Sequence, residues 1–127
     1  MSSWPFGASH GQAEIIATEC GGKDLRILGC HKKESRDTLF EAHLIDGILA
    51  LDAGGLTRSL TFEEQENIQP IALTHRHFDH IRGLLPFGLT MRDSGVIVDV
   101  YGIKDTLDFV AEKLIGESLH ALMARLK

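Results

Sequence analysis

The chain has 127 residues, 43% of them hydrophobic and 24% charged, with a formal net charge of -5. That length and balance bound it to one globular domain around a single core, and the negative balance argues against a general nucleic-acid binder that works by neutralising phosphates. No apolar run approaches membrane-spanning length, and the start Met1-Ser2-Ser3-Trp4-Pro5-Phe6 lacks the segments of a secretory signal. Cys20 and Cys30 are too few for a disulfide framework. These features predict a cytoplasmic protein with buried or free thiols and no membrane partner.

Residues 1–12 have no periodicity and read as a loose N-terminal arm, with the domain over 13–127. Ala13 to Thr18 suits a short strand. Gly21-Gly22-Lys23-Asp24 then turns the chain into Leu25 to Cys30, a strand with apolar residues at alternate positions. His31 to Asp37 is a polar loop. Thr38 to Ile45 and Ile48 to Asp52 flank Asp46-Gly47, a dipeptide that tolerates the positive φ angles of a two-residue hairpin. Ala53-Gly54-Gly55 closes the second arm in a tight turn.

Ser59 to Asn67 predicts a short helix capped by Thr61, with Glu64 in capping-box register and Pro70 as a stop. Ile71 to Thr74 is the next strand. Ile81 to Phe87 predicts a short helix ended near Pro86, Ser94-Gly95 a turn, and Val96 to Tyr101 a strand. Asp105 is placed to cap a helix whose apolar face is Leu107, Val110, Ala111, Leu114 and Ile115. Gly116 breaks that pattern, and Leu119, Leu122, Met123 and Leu126 begin another.

Directly after the apolar run Ile71-Ala72-Leu73, three imidazoles and a carboxylate crowd into His75, His77, Asp79 and His80. Neutral imidazole nitrogen and carboxylate oxygen are ligands for zinc and similar borderline ions, and so many lone pairs placed together call for a cation. His75 and His77 lie two apart in an extended loop and can converge on one ion. Asp79 and His80 offer oxygen and nitrogen to a neighbouring position. Asp52, at the end of a neighbouring strand, is the candidate acceptor behind one histidine, fixing its tautomer. Arg76 and Arg82 flank the loop, and Lys32, Lys33 and Arg36 lie in the loop after the first strong strand. They are either a phosphate-attracting rim or solvated charge. His10, His31, His43 and His120 lack ligand spacing.

Thr74-His75-Arg76-His77-Phe78-Asp79-His80 with Gly83-Leu84 closely resembles the signature of the metallo-β-lactamase superfamily. Leu28-Gly29-Cys30, Leu51-Asp52-Ala53-Gly54 and Val100-Tyr101-Gly102 fall in the order seen in its ribonuclease Z-like and class II cyclic-nucleotide phosphodiesterase-like branches. The resemblance runs from about Leu25 to Ile115. It implies an α/β fold in which two βα halves pack as an αββα sandwich, and a hydrolase in which metal-activated water attacks the substrate. His75 and His77 would bind one metal, while Asp79 and His80 would bind a second or orient the attacking water, Asp79 being the candidate that orients the nucleophile. The implied cofactor is a pair of Zn2+ ions, with Mn2+ or Fe2+ as alternatives. The first substrate expectation is a phosphodiester, either a small molecule or nucleotide or RNA. Thioester or lactam hydrolysis is the rival reaction, and a non-catalytic metal-binding relative the rival class. The family's second half supplies a further histidine, a bridging aspartate and a last histidine, and no segment here resembles those. The chain therefore reads as the first half of a longer domain, with self-association through the sheet face its partner half would cover.

Overall fold

The computed structural model describes residues 18–20, 23–115 and 125–126, and these form a mixed α/β architecture. The expected arm over 1–12, most of the strand expected from Ala13, and everything expected from Gly116 to Ala124 lie outside the described residues. The described strands are β1 (Thr18–Cys20), β2 (Lys23–Gly29), β3 (Ala42–Ile45), β4 (Leu49–Leu51), β5 (Ile71–Ala72), β6 (Asp99–Tyr101) and β7 (Arg125–Leu126). They form one sheet in sequential order, antiparallel from β1 to β4 and parallel from β4 to β7.

The hairpin forms where Asp46-Gly47 puts it, with φ of 55° and 71° at those two residues. Ile48 N–H closes the turn on the Ile45 carbonyl at 3.0 Å. Ile45 lies opposite Leu49, so three residues join the arms and not the expected two. Asp46 Oδ1 also accepts from the Asp24 N–H at 2.8 Å, which pins the turn to β2.

Register sorts the side chains into two faces. Leu44, Ala50, Ile71 and Val100 are partners across β3 to β6 and are all buried. They join Leu28, Leu56, Ile68, Ile81, Leu84, Phe87 and Met91 in one core. The opposite row, Ile27, His43, Leu51, Ala72 and Tyr101, is half-buried up to Tyr101, which is exposed. That row is apolar too, apart from His43.

Helix α1 (Phe62–Glu66) crosses from β4 to β5, α2 (Phe78–Ile81) and α3 (Leu84–Ser94) from β5 to β6, and α4 (Lys104–Phe109) follows β6 and continues as a π-helix over Val110–Ile115. At the start of α1 the full capping box is present: Thr61 Oγ1 accepts from the Glu64 N–H at 3.1 Å, and Glu64 Oε1 accepts from the Thr61 N–H at 3.0 Å. Arg26 of β2 reaches Glu64 Oε2 at 2.6 Å and ties the helix to the sheet.

Several boundaries depart from expectation. Pro86 does not end a helix; it is the third residue of α3, where a missing N–H leaves no intrahelical bond unmade. The chain instead breaks at Arg82-Gly83, and α3 runs on to Gly95, whose φ of 73° gives the left-handed stop. Asp105 is not the cap of α4. Ile103 holds that position, and Asp105 lies in the first turn, where its charge favours the helix dipole. β5 and β6 are shorter than their apolar runs, since the ladder pairs only Ile71–Ala72 and Asp99–Tyr101. Among the described residues no helix is long and apolar enough to cross a membrane.

Thr61→Ala is expected to lower the unfolding free energy by about 1 kcal/mol, measured by denaturant titration. The Thr61 N–H first, then the Arg26 guanidinium, hold the Glu64 carboxyl below its ordinary value of 4.5. A depressed carboxylate stabilises the fold fully above that ordinary value and loses the contribution as pH falls through its folded one. The stability gap between wild type and Glu64→Gln should therefore be widest at neutral pH and shrink on acidification below 4.5.

Candidate metal centre

β2, β4, β5 and β6 all point the same way, so the segments that follow them gather at one end of the sheet. Ligand sites in open parallel sheets form at that carboxyl end, where side chains can leave the ladder without breaking it. Asp52 directly follows β4, and Thr74 to His80 follow β5.

Asp52 has a φ of 61° and is only 4% exposed. A left-handed backbone is open to aspartate at little cost, and here it turns the carboxylate from the strand's end toward the next loop. Oδ1 accepts from the Thr74 N–H at 2.9 Å and lies 3.0 Å from Thr74 Oγ1; Oδ2 lies 2.9 Å from that same hydroxyl and 2.9 Å from His80 Nδ1. Buried carboxylate oxygens accept and cannot donate, so His80 carries its proton on Nδ1 toward Asp52 and Nε2 faces outward. Asp79 Oδ2 lies 3.4 Å from that Nε2. The histidine that Asp52 contacts is His80.

The remaining imidazoles assemble around His75, whose ring centroid is 3.9 Å from that of His80 and 4.5 Å from that of His77. His77 is exposed and occupies the N-cap position of α2, where its carbonyl accepts the His80 N–H at 2.9 Å but its side chain makes no capping bond. The four sequence candidates are therefore neighbours. Among the described residues, no three His, Cys, Asp or Glu side chains form a closed ligand set as they stand. The donor chemistry nevertheless fits a borderline divalent ion. Nε2 of His80 and a carboxylate oxygen of Asp79 lie 3.4 Å apart, a pair that a divalent ion or a proton on Nε2 would hold together, with two further imidazoles in contact beside them.

Two close approaches hold this loop against the Asp52 turn. A Cβ on Gly54 would collide with the Asp79 carbonyl oxygen, and one on Gly83 with the Ala53 carbonyl oxygen. Ala53 N–H donates to the His80 carbonyl at 2.8 Å across the same contact.

The rim differs from a simple basic patch. Arg76 Nε lies 3.5 Å from Asp105 and its guanidinium stacks 5.1 Å from the centre of the Phe109 ring, while Arg82 lies 3.5 Å from Glu34 and Arg36 lies 3.3 Å from Asp37. Lys32 and Lys33 are exposed. His31 is structural, its Nδ1 lying 3.2 Å from the Leu39 carbonyl oxygen and 3.3 Å from the Leu39 nitrogen, and His43 sits on the apolar sheet row. His10 and His120 lie outside the described residues. Cys30 is exposed as a residue and makes no disulfide, and partial desolvation first, then the nearby Glu41, push its thiol above the ordinary value, which suits an unreactive thiol. Thr74 enters the sequence only as the first residue of the run to His80, which carries no sign of its contacts with Asp52. No protein-family model matches the chain, and no curated protein matches it.

Asp52→Asn keeps a residue that tolerates the left-handed backbone but sets an amide N–H against the Thr74 and His80 donors. It should cost roughly 1–3 kcal/mol of stability by chemical denaturation. An unchanged midpoint would show that the carboxylate does not hold the loop.

Proposed function

We propose that this chain carries the metal-binding segment of a metallo-β-lactamase-like hydrolase. His75, His77, Asp79 and His80 would be the ligands for zinc, or for Mn2+ or Fe2+ in its place, and a phosphodiester is the favoured substrate. The observation that carries the reading is the row Asp52, His80, Asp79. A buried carboxylate fixes Nδ1 of one imidazole, and the other nitrogen meets a second carboxylate 3.4 Å away. A proton on Nε2 would satisfy the same pair, so metal binding is the discriminating measurement. The apolar second face of the sheet supports the larger αββα sandwich, in which that face is covered by another layer.

When bound, a divalent ion at this position supplies Lewis acidity toward water and toward a phosphoryl oxygen. The chain's own residues supply the rest. Asp52 keeps His80 in one tautomer and orientation. Asp79, whose side chain is 17% exposed, is placed to accept a hydrogen bond from an attacking water and to take its proton. The exposed Lys32 and Lys33 stand in the loop after β2, at the same end of the sheet, where they favour an anionic substrate. Cytoplasmic placement and self-association belong to this same reading.

Elemental analysis of the purified chain after zinc loading and desalting should show bound zinc, and His77→Ala should reduce it; an unchanged stoichiometry removes His77 from the site. For the longer protein that this reading implies, hydrolysis of a generic phosphodiester without thioester hydrolysis is expected. The reverse result would transfer the assignment to the thioester or lactam class. Bound zinc with no hydrolysis of any ester would make the protein a non-catalytic metal binder.

A further inference from the structure

Thr74 Oγ1 sits among three acceptor-capable atoms: the two Asp52 oxygens at 3.0 and 2.9 Å and His75 Nδ1 at 2.9 Å. A hydroxyl has one proton to give. Aimed at His75, it would leave its own lone pairs against carboxylate oxygens that can only accept, at hydrogen-bond distance and without a hydrogen between them. Aimed at Asp52, it presents a lone pair to His75. The 2.9 Å contact is then a hydrogen bond only when Nδ1 of His75 bears the proton.

We infer that Thr74 is a positioning residue that passes the acceptor character of Asp52 on to His75, holding this imidazole as the Nδ1–H tautomer and leaving Nε2 as its one nitrogen lone pair. His80 reaches the same state by direct contact with Asp52 Oδ2. One carboxylate therefore selects the donor nitrogen of two neighbouring imidazoles, directly for one and through a hydroxyl for the other. Two histidines whose rings lie 3.9 Å apart are in this way matched in tautomer, so both offer Nε2 without having to reprotonate on binding an ion. The consequence for metal affinity rests on the proposed metal centre, whereas the tautomer of His75 does not.

The test compares wild type with Thr74→Val, which keeps the branched shape and removes the hydroxyl, and with Thr74→Ser, which restores the hydroxyl. In every case the Thr74 backbone N–H remains to tie the loop to Asp52. Long-range proton–nitrogen correlation spectra of the metal-free, 15N-labelled chain at mildly alkaline pH, where imidazoles are neutral, read the tautomer of His75. Zinc affinity is measured in parallel by competition with a chromophoric chelator. Wild type and Thr74→Ser should show His75 as Nδ1–H, and Thr74→Val a mixture or the Nε2–H form. Zinc should bind roughly 10–100-fold more weakly to Thr74→Val and close to normally to Thr74→Ser. His75 as Nε2–H in wild type overturns the inference, a result that stands even when the valine variant does not fold; so does an unchanged tautomer in a folded Thr74→Val. Absence of zinc binding by wild type would remove the metal-centre reading alone, and the spectra would still decide the role of Thr74.

Discussion

The Asp52 carboxylate is the interaction on which this end of the molecule depends. Burying an unpaired carboxylate is strongly unfavourable, and here the penalty is offset by donors drawn from Thr74 and His80. Those donors lie on a segment that follows a different strand, so satisfying one buried charge fixes the end of β4 against the end of β5. The φ of 61° at Asp52, a left-handed backbone that aspartate adopts at little cost, sets the aim of the side chain. The same contact is closed from the other side by backbone. Gly54 and Gly83 let the Asp52 turn and the histidine loop approach to distances that a side chain would forbid, and the bond from Ala53 to the His80 carbonyl spans them. Site and core are consequently one packing problem: Ile81 and Leu84, next to the histidines in sequence, are fully buried in the core.

The rim shows why local charge is a poor guide to a substrate. Arg76 and Arg82 flank the histidine loop in sequence, yet each has structural company. Arg76 faces Asp105 and Phe109 at the start and end of α4, and Arg82 faces Glu34 in the loop after β2. Both pairs brace the histidine loop against neighbouring segments. Partly exposed ion pairs of this kind are individually worth little, and their effect lies more in orientation than in stability. The proposal of an anionic substrate consequently rests on the exposed Lys32 and Lys33 and on the family resemblance.

Much of this is legible in the sequence because single residue types leave few options. Asp46-Gly47 forces a turn, Thr61 with Glu64 forces a helix start, and the crowding of His75, His77, Asp79 and His80 after an apolar run puts the donors in one loop. Less legible are features decided by tertiary context. Pro86 resembles a stop, but a proline in the first helical turn is silent, and only the break at Gly83 reveals which turn is first. The apolar run Val96 to Tyr101 resembles a full strand, but only Asp99 to Tyr101 join the ladder, because the partners β5 and β7 are both short. The role of Thr74 escapes notice because it depends on which two groups the hydroxyl stands between, and one of them, Asp52, is 22 positions away.

The two-sided apolarity of the sheet bears on how the strands find their alignment. Where one face is oily and the other wet, sliding a strand by a single residue is punished at every position. Here both cross-strand rows from β2 to β6 are largely apolar, so that penalty is weak, and alignment must be enforced by exceptions. Arg26 and His43 are those exceptions. A one-step slip of β2 would carry Arg26 away from Glu64, and a slip of β3 would drive an imidazole into the layer now filled by Leu44 and Ala42. Two polar side chains thereby act as keys that let each strand seat in one position only.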